Sequence, residues 1–355
     1  MQMRLPGLLL GLALLFQQIA PVPQLPRPPF PEWLDGVRAE ARSRGISAAT
    51  IAAALDGLEP LPIVVERDRS QAEIVETLDH YLQQHVSAKV IRTARTRRAD
   101  HAALLEKVAD KYGVPAGIVV AVWGLESNFG RFSGVRPTIQ TLATLAYDPR
   151  RSGLFREELF DALKILDSGD VRPAAMRGSW AGALGQPQFM PSSFLLYAQD
   201  FDGDGRRDIW TSTPDVLASI ANYLSAHGWT RGDAWGREVS VPAAALDAIR
   251  ESAPPRTEGC LARRQMTVPL PLEKWKALGV RAKGGGALPD TGPDASLISG
   301  VTRHFLAYPN YQAILEYNCV NAYGLSVALL ADAASGSAPP PRAPAKTKKT
   351  KKKRR

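Results

Sequence analysis

The chain has 355 residues, 45% hydrophobic and 22% charged, which fits two or three folded domains and excludes wholesale disorder or a fibrous repeat. Its formal charge of +9 is confined to one end, because residues 336–355 hold nine basic residues and no acid, leaving 35 basic against 35 acidic residues elsewhere. A neutral body disfavours specific nucleic-acid binding.

In chain order, Met1 to Arg4 supplies a basic flank and Leu5 to Phe16 a short, mostly apolar run. This reads as a secretory signal over 1–20 and is too short for a spanning helix. The expectation is an exported protein of the periplasm or cell envelope. Residues 21–31 form a proline-rich spacer. Residues 32–105 read as a helical region: Trp33, Val37 and Ala41 recur at helical spacing, and Ser47 suits the cap of a second helix. Asp100 is a candidate cap for a helix bearing Leu104, Leu105, Val108 and Tyr112. Residues 106–235 read as a helical core. Within it, Ile118 to Leu125 is apolar on every face, so that helix is expected to be buried. Helices are also expected over 154–167 and 214–227. Residues 236–300 change character, with Val239, Val241, Val268 and Val280 among prolines and glycines, and suggest a small β-containing subdomain. Residues 301–334 return to helix. Residues 335–355 form a low-complexity basic tail, either a solubilising appendage or a tether to an anionic envelope surface. Cys260 and Cys319 permit one disulfide, with two buried thiols as the alternative.

Glu126 stands out chemically. It closes the apolar helix, and its i−4 and i−3 neighbours are Val122 and Trp123. Desolvation and the negative end of the helix dipole both raise a carboxyl pKa there, toward a value useful for a general acid. The plainer alternative is a glutamate that reaches solvent at the helix end. The chain holds no G-x-S-x-G elbow, H-E-x-x-H, Walker loop or Cys-x-x-Cys, and its five histidines show no ligand spacing.

The stretch Asp200-Phe-Asp202-Gly-Asp204-Gly205-Arg206-Arg-Asp208 matches the start of an EF-hand loop. Carboxylates stand at positions one, three, five and nine, the Arg206 carbonyl at seven, and glycine at six. Position twelve is Thr211, so Asp215 is the candidate closing ligand. Hard oxygen donors select calcium, with magnesium second, in a structural role. The alternative is a solvated acidic turn neutralised by local arginines.

Several blocks together resemble the lytic murein transglycosylases of the membrane-bound B type, over about Phe30 to Ala334. They are Gly124-Leu-Glu126-Ser-Asn-Phe-Gly130, the block from Gly178 to Ser193, the Asp200 loop followed by Ile220-Ala-Asn-Tyr-Leu224, and Tyr317-Asn318 with Tyr323. The resemblance implies a mainly α fold: a lysozyme-like helical core, an additional helical region and a small β subdomain, with the last helix returning to the cleft. It implies Glu126 as the catalytic acid, with Ser179, Gln188, Tyr317, Asn318 and Tyr323 around the sugar. It implies that Arg150 and Arg151 meet stem-peptide carboxylates, and that calcium sits in the acidic loop. Peptidoglycan glycan strands are the expected partner, no cofactor is needed for catalysis, and a monomer is expected. Cys319 and the lack of a lipoprotein cysteine depart from the pattern.

Ordinary glycosidases use two carboxylates. Only one is nominated here, which fits a non-hydrolytic cleavage in which the sugar's own 6-hydroxyl attacks. The rivals are a muramidase, for which Asp148, Glu157 and Glu158 are candidate second acids, and a non-catalytic, calcium-braced peptidoglycan-binding protein.

Overall fold

The computed structural model describes residues 27–69, 77–150 and 152–336. The expected signal segment, most of the proline-rich spacer and nearly all of the basic tail lie outside the described residues.

The first layer is helical. It comprises α1 (Phe30–Ser43), α2 (Ala48–Leu55), α3 (Pro62–Arg69), α4 (Leu78–His85), α5 (Ala88–Asp100) and α6 (Ala102–Tyr112). Helix α1 buries Phe30, Leu34, Val37 and Ala41, one stripe at helical spacing. Ser47 caps α2 by accepting from the Thr50 amide at 3.2 Å. Asp100 does not cap the next helix. It is the last residue of α5, and His101 takes the cap position of α6. With a single residue between the two helices, an acid at the junction reads equally as the end of one or the cap of the next.

Helix α7 (Ala116–Ser127) is the axis of the molecule, and Gly117 through Trp123 are all buried. Strand β1 (Arg136–Pro137) leads into α8 (Thr138–Tyr147), followed by α9 (Ser152–Asp167) and β2 (Arg177–Gly178). β1 and β2 pair antiparallel. Then come α10 (Pro191–Tyr197) and α11 (Thr213–Ala226). α10 is capped from a distance: buried Glu158 accepts from the Ser192 amide at 2.9 Å and hydroxyl at 2.7 Å.

The β region holds β3 (Gly236–Ser240), α12 (Leu246–Ser252), α13 (Leu261–Arg264), α14 (Leu272–Ala277), β4 (Arg281–Ala282), β5 (Ser296–Ser299) and β6 (His304–Ala307). Its antiparallel sheet runs in the order β4-β3-β6-β5. It encloses a second core around Trp275, Val280, Leu297 and Leu306. Val239 lies in β3, Val241 and Val280 adjoin the ends of β3 and β4, and Val268 lies between isolated bridges at Thr267 and Leu270. The chain closes with α15 (Pro309–Tyr317) and α16 (Asn321–Ala334). Helix α16 packs on α7, α5 and α4.

Three element boundaries differ from the sequence expectation. Residue 105 falls inside α6, and residue 300 falls inside the β5–β6 hairpin, so the sheet reaches Ala307. The helix expected within residues 301–334 is two helices, broken at residues 318–320. Asn318 and Val320 are extended there, and Cys319 is disulfide-bonded to Cys260.

Candidate active site

Glu126 occupies the penultimate position of α7, where the helix passes out of the core. The chain then makes a tight turn through three left-handed residues, Asn128 (φ 50°), Phe129 (φ 58°) and Gly130 (φ 80°). Hydrogen bonds over-determine this turn. The Phe132 amide donates to the Ser127 carbonyl at 2.9 Å, the Gly130 amide to Ser127 Oγ at 3.1 Å, and Ser127 Oγ to the Trp123 carbonyl at 3.0 Å. Gly124 lets the Phe129 ring fold back on α7, since a Cβ there would stand 2.6 Å from the ring. Gln188, at φ 56°, is the other non-glycine residue with positive φ among the described residues. Backbone strain of this kind, of order 1–3 kcal/mol per residue, concentrates at functional sites.

Tyr323, in the first turn of α16, donates its hydroxyl proton to Glu126 Oε1 at 2.5 Å. Burial pushes the Glu126 pKa from its usual 4.5 up to about 7, and the Tyr323 hydrogen bond partly offsets that rise. The side chain is half-buried, so the carboxyl is desolvated yet keeps an opening to solvent. The phenols of Tyr317 and Tyr323 are both held well above the usual tyrosine range, first by burial and next by the nearby Glu126 charge. The hydroxyl of Tyr317 donates to the Pro187 carbonyl at 2.7 Å, and its ring packs on Phe189 and Tyr223. One carboxyl thus lies at the end of an apolar helix, hydrogen-bonded by a phenol from α16, with a second phenol from α15 near enough to feel its charge.

The other expected site residues fall into two groups. Ser179 organises the turn after β2, where its Oγ accepts from the Ala181 and Ala183 amides at 3.2 and 3.1 Å. Gln188 donates through Nε2 to the Gly185 carbonyl at 2.7 Å, in the loop that Tyr317 contacts through Pro187. Asn318 is exposed on the α15–α16 break. Arg150 stands apart at the α8–α9 turn, where its guanidinium pairs with Asp148 at 2.9 Å. Arg151 lies outside the described residues.

Gln186 is a residue that sequence reasoning passed over. It is buried, accepts from Trp123 Nε1 at 2.7 Å, and donates to the Trp210 carbonyl at 2.8 Å. It therefore latches α7 to the 185–188 loop and to Trp210. Gly130 belongs to the same latch, because a Cβ there would stand 2.5 Å from Gln186 Oε1.

The acidic loop follows α10. Asp200, Asp202 and Asp204 are exposed, and each offers an oxygen within 4.8 Å of the others. The loop is already ordered by its own amides, with Gly203 donating to Asp200 at 2.7 Å and Gly205 donating to it at 2.9 Å. Arg206 turns its side chain to Asp204 at 3.0 Å. Asp208 accepts from the Trp210 and Thr211 amides at 2.9 and 2.8 Å. Buried Asp215 accepts from the Phe201 amide at 2.7 Å and the Asp208 amide at 2.8 Å, pinning both ends of the loop. The structure thus gathers three of the six expected ligand residues into one cluster, with Asp215 beneath the loop as its anchor. Three hard carboxylates this close suit calcium.

The family profile described as "Transglycosylase SLT domain" matches residues 29–332. The chain belongs to the transglycosylase SLT domain family. The chain is 42% identical over 130 residues to the membrane-bound lytic murein transglycosylase B of Escherichia coli (strain K12). That match covers 36% of this chain and 36% of the other, so the chain spans about a third of the curated relative. Among solved structures it is similar to SltB3 from Pseudomonas aeruginosa, crystallised with NAG-anhNAM-pentapeptide and with NAG-NAM-pentapeptide. The identity is 44% and the TM-score 0.79, over 86% of this chain and 80% of that one. It also resembles the Escherichia coli lytic transglycosylase Slt35 in complex with calcium, at 25% identity and a TM-score of 0.71 over 87% of this chain and 93% of that one. The fold is that of the lytic transglycosylases, mainly α with a lysozyme-like helical core.

Proposed function

We propose that the protein is a lytic transglycosylase that cuts the β-1,4 bond between N-acetylmuramic acid and N-acetylglucosamine without water. The observation that carries this reading is Glu126, a desolvated carboxyl with a pKa of about 7, held by Tyr323. Protonated Glu126 donates to the glycosidic oxygen as the bond from that oxygen to the muramic C1 breaks, and the N-acetylglucosamine leaves with a free 4-hydroxyl. The substrate's own N-acetyl oxygen stabilises the cationic C1. The Glu126 carboxylate then takes the proton from the muramic 6-hydroxyl as O6 closes on C1. The product end is 1,6-anhydro, and Glu126 returns to its acid form. An intramolecular nucleophile has a high effective concentration, so no second carboxylate is required.

A muramidase would need a second free carboxylate across the cleft. The three candidates are engaged elsewhere: Asp148 with Arg150, Glu157 with Arg44 at 2.7 Å, and Glu158 on the cap of α10. Asp200, Asp202 and Asp204 would hold a calcium ion, with the Arg206 carbonyl, Asp208 and Asp215 supporting the loop. The ion would brace the loop against α11 and supply no chemistry to the reaction. The names of the relatives support a place in the bacterial envelope, with glycan strands as partner.

The test is a digest of purified sacculi by wild type and by Glu126→Gln, with the soluble fragments read by mass spectrometry. Fragments ending in 1,6-anhydromuramic acid, absent with the variant, are expected. Reducing ends that carry water would replace this reading with a hydrolase. Binding to sacculi without release would replace it with a non-catalytic binding protein.

A further inference from the structure

Glu126 lies within a short segment whose two ends touch one side chain from elsewhere in the molecule. Trp123 is its i−3 neighbour on α7, and Gly130 closes the left-handed turn that follows it. Gln186 Oε1 accepts from Trp123 Nε1 at 2.7 Å, and the same oxygen lies so close to Gly130 that a Cβ there would stand 2.5 Å from it. Gln186 is itself fixed from outside this segment. Its Nε2 donates to the Trp210 carbonyl at 2.8 Å, and its amide donates to the Ile209 carbonyl at 2.9 Å. Chemistry also sets which way the carboxamide points. The indole N–H can only donate and the Trp210 carbonyl can only accept, so the oxygen must face Trp123 and the nitrogen Trp210.

Between its two ends the segment is strained. Phe129, a bulky residue, is held at φ 58° beside Asn128 at φ 50°, and such backbone persists only where the surroundings over-determine it. The Phe129 ring meets Trp123 edge-on, with centroids 5.9 Å apart, so a loosened Trp123 also frees the ring that covers the turn. Once the turn relaxes, Glu126 gains the route to water that a helix end offers. We propose that Gln186 is a positioning residue that, by clamping Trp123 and Gly130, holds the Glu126 carboxyl against the apolar end of α7 and away from solvent, a proposal that rests on the lytic transglycosylase reading. Burial is what lifts Glu126 from 4.5 to about 7, so releasing the clamp lets it fall back toward 4.5. The titratable groups around the segment are Tyr323 of α16, Tyr317 of α15, Tyr81 of α4 beyond Tyr323, and His101, edge-on to Trp123 at 5.7 Å. Burial holds the Tyr317 and Tyr323 phenols well above the usual range, so both stay neutral at pH 7 and leave the sign unchanged.

The test is the pH dependence of kcat, from fragment release at saturating sacculi, for wild type and Gln186→Met, which keeps the side chain's length and removes both of its hydrogen bonds. If the alkaline limb falls by about one pH unit, the ratio of kcat at pH 5 to kcat at pH 7 rises about fivefold, from roughly 2 to roughly 10. That rise is expected. A general loss of structure would lower kcat by the same factor at both pH values, and that outcome, like an unchanged or smaller ratio, overturns the proposal. Trp123→Phe removes the N–H from the other side of the same bond. It is expected to shift the limb in the same direction, with little further shift in the double variant, and it decides alone if Gln186→Met does not fold. This direction is opposite to that of losing the Tyr323 hydrogen bond, which raises the limb. If wild type releases no fragments at any pH, the transglycosylase reading fails, and the clamp is then judged by titrating the Glu126 carboxyl directly by carbon-13 NMR. A lower pKa in Gln186→Met than in wild type upholds it, and an equal or higher one overturns it.

Discussion

Glu126 carries a pH signature of its own. Its folded-state pKa of about 7 lies above its ordinary 4.5, so the native protein holds this proton more tightly than the unfolded chain does. The contribution is fully present below pH 4.5 and is lost as pH rises through 7. At about 1.4 kcal/mol per unit, ionising Glu126 costs the native state on the order of 3 kcal/mol. Glu126→Gln keeps the shape and removes the charge, so its Tm advantage over wild type is expected to widen from pH 5 to pH 8 in thermal unfolding. Catalysis runs the same way, because the acid step needs the protonated form and activity should decline above pH 7. Tyr323→Phe removes the hydrogen bond that holds this pKa down. Its alkaline limb should move upward, and kcat should fall roughly ten- to a hundredfold, since a hydrogen bond to a charged group is worth about 1.5–3 kcal/mol. A pH–rate profile of this variant that overlays wild type would remove Tyr323 from the site.

Glu126 was legible at this scale because a helix that is apolar on every face and ends in a carboxylate places that carboxylate at the edge of the core. Its partner was not legible from spacing alone. Tyr323 lies 197 residues away and reaches Glu126 only because α16 packs along α7. Gln186 was overlooked for a related reason: a glutamine among small residues gives no periodic signal, and its role depends on Trp123 and Trp210 meeting it in space.

At the scale of elements, the break between α15 and α16 decides how the phenols meet the acid. Three residues separate the helices, which bend by 115°. Asn321 begins α16 by donating through Nδ2 to the Ala262 carbonyl at 2.8 Å, and the disulfide joins Cys319 to Cys260 beside it. Helix α13 is thereby fastened to the break that lies between Tyr317 and Tyr323. The sequence permitted this disulfide without choosing it over free thiols, and it concealed the break because residues 311–331 keep an apolar helical pattern throughout. Cys260→Ser/Cys319→Ser should unfold at lower denaturant, by up to about 4 kcal/mol on the chain-entropy argument for a loop of 59 residues. A wild type that reductant leaves unchanged in unfolding would show that the bond adds nothing.

For the whole molecule, helical layers and a small sheet share one frame, and most of the frame was visible in the hydrophobic pattern of the sequence. The boundaries were not, because α6 and the β5–β6 hairpin straddle the points where composition changes. The acidic loop lies between α10 and α11. Calcium binding there should stabilise the whole fold by mass action, by about 3 kcal/mol at a hundredfold excess over Kd. Chelation should therefore lower Tm, added calcium should restore it, and Asp202→Ala should abolish the response. A Tm indifferent to calcium would leave the loop as a solvated turn.

The disulfide also has a consequence for how this chain can change over generations. Residues 260–319 enclose β4, β5 and β6, and with them most of the second hydrophobic core. Both ends of that stretch are anchored at one point, and β3 from outside it holds β4 and β6, so it forms an annex tied to the frame at the disulfide and along β3. The exposed Gly284-Gly285-Gly286 turn lies at its outer rim. Residues added or removed there lengthen the annex without moving its hinge, so the geometry of Tyr323 against Glu126 is insulated from them. A lineage of such chains is free to vary the size of the β region, and whatever that region touches, while Tyr323 and Glu126 stay in place.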